Sequence, residues 1–242
     1  MGVMPTTDPM LTTRERAAID AGRWFSGLSP MLRHDILRMG RTKRFHDGAA
    51  IAMRGEMPQD WWGVARGAVR VSSSYLQGKQ VTLTFVEPGV WFGDIALLDG
   101  EARTHDAHAH GATTLVCVAA ADFLQLLDRH PEFYRALARL QARRLRHLFT
   151  KLDDLHALPL RSRLAKQLLE LTRSFGQEGD TPAAGIRIAL PLPQEDLAQL
   201  VGASRQRVNL ELKSLEREDA IRVSRGGLVV RRLSALQAAA CY

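Results

Sequence analysis

The stretch Pro193–Glu216, PQEDLAQLVGASRQRVNLELKSLE, decides how the rest of the chain is read. Leu197, Leu200 and Val201 fall at i, i+3 and i+4, which gives a short helix one apolar face. Gly202 follows, a residue that accepts the sharp turn a Cβ resists, and Ser204 is placed to cap a second helix. Val208, Leu212 and Leu215 are the apolar stripe of that second helix, so the spacing predicts a helix-turn-helix. The second helix opens with Arg205, Gln206, Arg207 and Asn209, long donors and acceptors at the end such a helix presents to the DNA major groove. An ordinary surface pair of amphipathic helices fits the same pattern, so the remainder of the chain has to discriminate.

Charge discriminates first. Of 33 Lys and Arg and 26 Asp and Glu, residues 1–130 hold 14 of each, leaving 19 against 12 in residues 131–242. The whole excess of +7 therefore lies in the half that carries the helix pair, as expected of a half that meets a polyanion. The 242 residues suffice for two modest domains, and 45% hydrophobic with 24% charged residues is ordinary for a globular protein. No apolar run approaches the roughly 18 residues a membrane span needs, and the start, MGVMPTTDPMLTTRER, lacks the order of a secretory signal. A cytoplasmic location without a membrane partner is expected. Cys117 and Cys241 are too few for a disulfide framework, a zinc site or an all-cysteine iron–sulfur cluster.

Arg14 to Phe25 and Pro30 to Met39 read as helices, the second with proline in its first turn. From Phe45 onward short runs (AIAM, WWGVARG, AVRVSSS, VTLTFV, TLVCVAA) are separated by Gly48, Gly55, Gly67, Gly78, Pro88-Gly89 and Gly100, the texture of a small all-β sandwich or barrel. Trp61 and Trp62 are expected to fill its interior and rim. WFGDIALLDGEARTHDAHAHG does not read as a strand; Gly93 to Leu98 forms a helical turn, and Arg103-Thr104 follows as an arginine fork and hydroxyl able to hold a phosphate. Asp106, His108 and His110 alternate, and a solvated strand face is preferred there to a metal site. Ala121 to Leu127 is a short helical turn. From Pro131 to about Leu155 a long helix carries Tyr134, Ala138, Gln141, Leu145, Leu148, Leu152 and Leu155 in steps of four and three, a coiled-coil seam whose simplest partner is a second copy of the chain, the alternative being that the stripe packs against its own barrel. Leu158-Pro159 ends it, Arg161 to Phe175 is helical, GQEGDTPAAG is a polar loop, and Ile186 to Leu190 is a short strand. After Asp219, AIRVSRGGLVVRRL reads as a hairpin wing in which Arg222, Arg225, Arg231 and Arg232 face backbone phosphates.

The order of β-barrel, GDIALLDG…RT, long helix and helix-turn-helix resembles the Crp/Fnr family of bacterial transcription regulators. The resemblance implies an α+β architecture: an N-terminal extension (1–27), an effector barrel of jelly-roll or double-stranded β-helix type (28–130), a dimerisation helix and hinge (131–157) and a winged helix-turn-helix (158–242). It implies that Arg103 and Thr104 hold a cyclic nucleotide phosphate in a cassette with Gly93, Asp94 and Leu97. Asp94 stands where the cyclic-AMP-responsive members carry Glu, and Leu148 and Phe149 stand where they place a Thr-Ser pair against the adenine. Cyclic AMP, cyclic di-GMP, another effector or none all stay open.

The function expected is that of a homodimeric, sequence-specific DNA-binding regulator of an inverted-repeat operator. Arg205 would take a guanine, Gln206 and Asn209 read bases, and Ser204, Arg207, Lys213 and Arg225 touch phosphates. Activation, as distinct from repression, would add a surface for RNA polymerase. The chain shows no nucleophile elbow, Walker-type glycine loop or two-histidine zinc helix, so an enzyme is not expected. The remaining alternative is a dimeric adaptor whose basic half binds protein or RNA.

Overall fold

A computed structural model describes residues 6–7, 10–74, 80–179, 185–224 and 227–241. The chain forms two units, Met1–Leu145 and Arg146–Tyr242, whose boundary falls inside the long helix. The first contains β1 (Thr6–Thr7), α1 (Thr13–Ala21), a 3-10 turn (Phe25–Gly27), α2 (Pro30–Met39), β2 (Arg41–Phe45), β3 (Ala50–Ala52), β4 (Asp60–Ser74), β5 (Gln80–Val86), β6 (Trp91–Phe92), α3 (Asp94–Asp99), β7 (Asp106–Ala119) and α4 (Ala120–Arg129). After α5 (Pro131–Ala157) the second contains α6 (Leu160–Phe175), β8 (Gly176–Glu178), β9 (Ile186–Ile188), α7 (Gln194–Leu200), α8 (Arg205–Arg217), β10 (Ile221–Ser224), β11 (Gly227–Val230) and α9 (Leu233–Ala240).

In the first unit the strands run antiparallel in the order β1-β2-β7-β4-β5, with β3 on β7 and β6 on β4. The expected strands on either side of Gly67 are one continuous strand, β4. Gly67, at φ +76°, lies within the second of two successive register shifts, between Arg66 and Ala68, so it bends the strand as a bulge and does not end it. β2 was hidden by its charges: in RTKRF only Thr42 is buried, and the first helix stops at Ala21, short of Phe25. The stretch read as non-strand is strand at both ends, in β6 and at the start of β7.

Neighbouring residues of a strand face opposite sides of its sheet, and the adjacent tryptophans use both. Trp62 joins Val64, Val69, Leu115 and Cys117 in one core. Trp61 joins Ile19, Phe25, Leu32, Ile36, Phe123, Phe133 and Leu137 in the other, where α1, α2, α4 and α5 pack. Phe133 and Leu137 are therefore the stripe by which α5 is held to the barrel. Cys117, 2% exposed, has its thiol pushed up to about 12 by burial, which makes it inert.

Glu15 ties α1 to this barrel. Its carboxylate accepts the Thr12 N–H at 2.9 Å in a capping box, the Arg44 guanidinium at 2.7 Å and the Thr114 hydroxyl at 2.8 Å. Burial opposes ionisation, but hydrogen bonds from Arg44, Thr12 and Thr114 outweigh it and lower the carboxyl from 4.5 to about 2. A depressed folded value contributes stability that is present above pH 4.5 and lost as pH falls toward 2. The contribution is about 3 kcal/mol. Urea unfolding of the wild type across that window should lose this amount, and Glu15→Gln should be flatter; equal slopes would refute the assignment.

The second unit buries Leu164, Leu168 and Leu171 of α6 with Val208, Leu212 and Leu215 of α8 and Leu236 of α9. α6 packs on both α8 and α9. The helix α9 is additional to the expected elements, and Leu233, Leu236 and Ala240 carry its helical spacing. The sheet is larger than a hairpin: β10-β11-β9-β8, with Gly176–Glu178, expected as loop, pairing to β9. Among the described residues no helix is long and apolar enough to cross a membrane.

Candidate nucleic-acid interface and barrel site

α7 and α8 meet as the sequence predicts. The chain turns through Gly202 at φ +64°, and Ser204, in extended conformation, accepts the Arg207 N–H on its hydroxyl at 3.4 Å. Leu197 and Val201 are buried, Leu200 only half so, and Ala198 completes the apolar face instead. Two arginines of α6 lock the pair in place. Arg161 donates to Ser214 at 3.1 Å and Glu218 at 2.6 Å, and Arg163 donates to the Val201 carbonyl at 3.2 Å. At the far end of α8, Asp219 takes φ 55° and lets the Ala220 N–H reach the Leu215 carbonyl at 3.0 Å, which closes the helix.

The residues singled out on α8 do not share one direction. With Val208, Leu212 and Leu215 buried, Gln206, Leu210, Lys213 and Arg217 form the exposed stripe opposite them. Arg205 and Asn209 flank that stripe on one side, Asn209 half-buried, and Arg207 lies on the other. Ser204 is exposed, with its hydroxyl in the cap. In the wing Arg222 is exposed, whereas Arg225 lies outside the described residues. Arg231 and Arg232 differ from the expectation of phosphate-facing groups: Arg232 donates to the Glu218 and Asp219 carbonyls, and Arg231 pairs with Asp219 at 3.7 Å. The C-terminal carbonyls of α8 attract them there.

In the barrel, Gly93, Asp94 and Arg103 come together and Leu97 and Thr104 do not. Asp94, fully buried, accepts from Arg144 at 2.8 and 2.9 Å and from Gln141. Both partners come from α5, and Arg144 also donates to the Trp91 carbonyl. Gln141, read as a seam residue, is thus turned toward the barrel. Arg103 is buried, donates to the Gly93 carbonyl at 3.0 Å and the Asp60 carbonyl at 2.6 Å, and lies 4.1 Å over the Trp62 ring. Burial lowers its proton affinity, the Asp60, Glu56 and Asp94 charges oppose this only in part, and a guanidinium stays protonated. Leu97 packs against the Trp61 core instead. Thr104 is exposed and hydrogen-bonds the neighbouring His105 ring at 2.7 Å. Leu148 and Phe149 are exposed on α5, 63% and 57%. A cyclic nucleotide phosphate finds Arg103 of the right chemistry, with its fork already committed.

Asp106 accepts from the Arg54 N–H at 2.8 Å and from Ser74 at 2.6 Å, and His110 packs on Phe85. Asp106 is buried, which departs from the solvated face expected there, and among the described residues the buried His108 Nδ1 has no hydrogen-bond partner. Among the described residues no cluster of three or more His, Cys, Asp and Glu is placed to hold a metal. The α5 seam is exposed at Tyr134 (55%), Leu145 (53%), Leu148 (63%), Leu152 (50%) and Leu155 (47%).

Residues 42–130 match the family model described as Cyclic nucleotide-binding domain, and residues 162–239 match the Crp-like helix-turn-helix domain. The chain is 34% identical over 213 residues to a protein of Thermus thermophilus named Cyclic AMP receptor protein, covering 88% of this chain and 94% of that one. It is 30% identical to the CRP-like cAMP-activated global transcriptional regulator of Mycobacterium tuberculosis, over 82% of this chain and 88% of that one. The solved structure of FixK2 from Bradyrhizobium japonicum shares the fold, with TM-score 0.74 at 22% identity, over 84% of this chain and 98% of that one.

Proposed function

The chain belongs to the Crp/Fnr family of transcription regulators, with a cyclic-nucleotide-binding domain and a Crp-like helix-turn-helix, and from that we propose that it is a homodimer reading an inverted-repeat operator. The observation that carries the proposal is the outer face of α8, exposed and polar except for Leu210, beside the wing in the basic half of the chain. Exposed leucines along α5 supply the two-fold contact. Two-fold symmetry sets the recognition helices about 34–36 Å apart, one turn of duplex.

Arg205 is assigned to a guanine, Gln206 to a neighbouring base, and Arg207 and Lys213 to phosphates. Arg205→Ala is expected to weaken operator binding by roughly 1–3 kcal/mol and to relax the preference at one position per half-site. Gel-shift titrations on the operator and on random duplex decide it: equal loss on both would make Arg205 a phosphate contact.

Control of binding by an effector in the barrel, acting as a population shift, is the reading supported by the names of the relatives, which refer to cyclic AMP. A second reading, regulation without a small-molecule effector, is favoured by the commitment of Arg103 to two carbonyls and Trp62, and of Asp94 to Arg144 and Gln141. Isothermal titration with cyclic AMP, cyclic GMP and cyclic di-GMP separates the two. Binding of any one, with a change in operator affinity, supports effector control; silence from all three supports the second reading.

A further inference from the structure

The exposed stripe of α8 contains one residue that nothing in the fold accounts for. Leu210 is 67% exposed, one helical turn after Gln206 and one before Lys213, on the side facing away from the buried Val208, Leu212 and Leu215. It edges a shallow hollow lined by Lys213, Glu216 and Arg217. The buried face of the helix is formed by Val208, Leu212 and Leu215, so Leu210 lies outside the core of its own unit. Its neighbours along the stripe are all polar or charged, so it presents a single aliphatic group within a hydrophilic face. An exposed leucine is unremarkable on most helices, but here it occupies the face assigned to the DNA.

Among the groups that a base pair offers in the major groove, only one is apolar, the C5 methyl of thymine. We infer that Leu210 determines specificity by packing on a thymine methyl. This rests on the operator-reading function proposed above. Gln206, whose amide can bond an adenine bidentately, stands about 6 Å along the helix from Leu210, close to two base steps. The half-site should therefore contain a guanine for Arg205 and, within about two positions of the base that Gln206 reads, a thymine for Leu210. Methyl against methyl is a contact that hydrogen-bond donors on the same face cannot replace.

The experiment begins with selection of binding sites from random duplex by the full chain. Each thymine of the recovered half-site is then replaced in turn by deoxyuridine, which keeps the hydrogen-bonding edge and removes only the methyl. At one position the replacement should weaken wild-type binding about four-fold per half-site, the worth of one buried methyl group. Leu210→Ala should bind the unmodified site more weakly and be indifferent to deoxyuridine at that position, while Gln206→Ala should keep the wild-type sensitivity. A recovered motif with no methyl-sensitive thymine, or a Leu210→Ala protein still sensitive at the same position, would overturn the role of Leu210 and leave the operator-reading function standing. A pool that yields no motif would overturn both.

Discussion

Leu148→Glu together with Leu152→Glu is expected to turn the proposed dimer into a monomer and to remove operator binding at concentrations that saturate the wild type. The two side chains are 63% and 50% exposed in the single chain, so most of their apolar surface is available to a partner. Full burial of a leucine is worth about 1.5–3 kcal/mol, and two chains contribute two each. Losing roughly half of that from four side chains amounts to about 3–6 kcal/mol, a change of roughly two to four decades in the dimer dissociation constant. Like carboxylates across a two-fold axis add repulsion. The barrel should be unaffected, because α5 is held to it by Phe133 and Leu137 on a different stripe. Sedimentation equilibrium beside circular dichroism reads both quantities. A doubly substituted protein that stays folded and dimeric at low micromolar concentration would show that the seam is not the interface.

Trp61→Ala should cost about 3–5 kcal/mol, the usual range for emptying a large aromatic site in a core. The ring is fully buried, with centroids 4.2 Å from Trp91, 5.2 Å from Phe123, 5.7 Å from Phe133 and 5.8 Å from Trp24. These partners come from β6, α4, α5 and the segment before the 3-10 turn, so the cavity opens where four parts of the first unit converge. Relaxation of all four at once is sterically difficult, which keeps the cavity cost high. The melting transition of the first unit should fall by roughly 10 °C, and Trp61→Phe should recover part of it. Calorimetry reads the effect; a loss below about 1 kcal/mol would mean that the core closes over the gap.

The legible parts of the fold were those written in short-range periodicity. The bounds Pro30–Met39 of α2 follow from a proline at the first turn and a glycine after the last, and α8 from its cap and stripe. Strand β2 was illegible because Lys43 and Arg44 look solvent-facing until Asp60 and Glu15 are brought to them, at 2.9 and 2.7 Å. The barrel site was half legible. Gly93, Asp94 and Arg103 converge as their motif implies, but the motif is silent about Gln141 and Arg144, whose approach to Asp94 depends on where α5 docks.

By itself, the sequence determined the helix-turn-helix and the course of the long helix, because each depends on residues within a few turns of one another, and the basic character of the C-terminal half, which is a matter of composition alone. Only the tertiary structure decided which of two adjacent tryptophans faces the helices, that Arg103 spends its fork on Gly93 and Asp60, and that Arg231 and Arg232 turn to the end of α8. Those outcomes depend on partners brought together by packing, and a side chain's commitments are settled by the competition among the groups that surround it after folding.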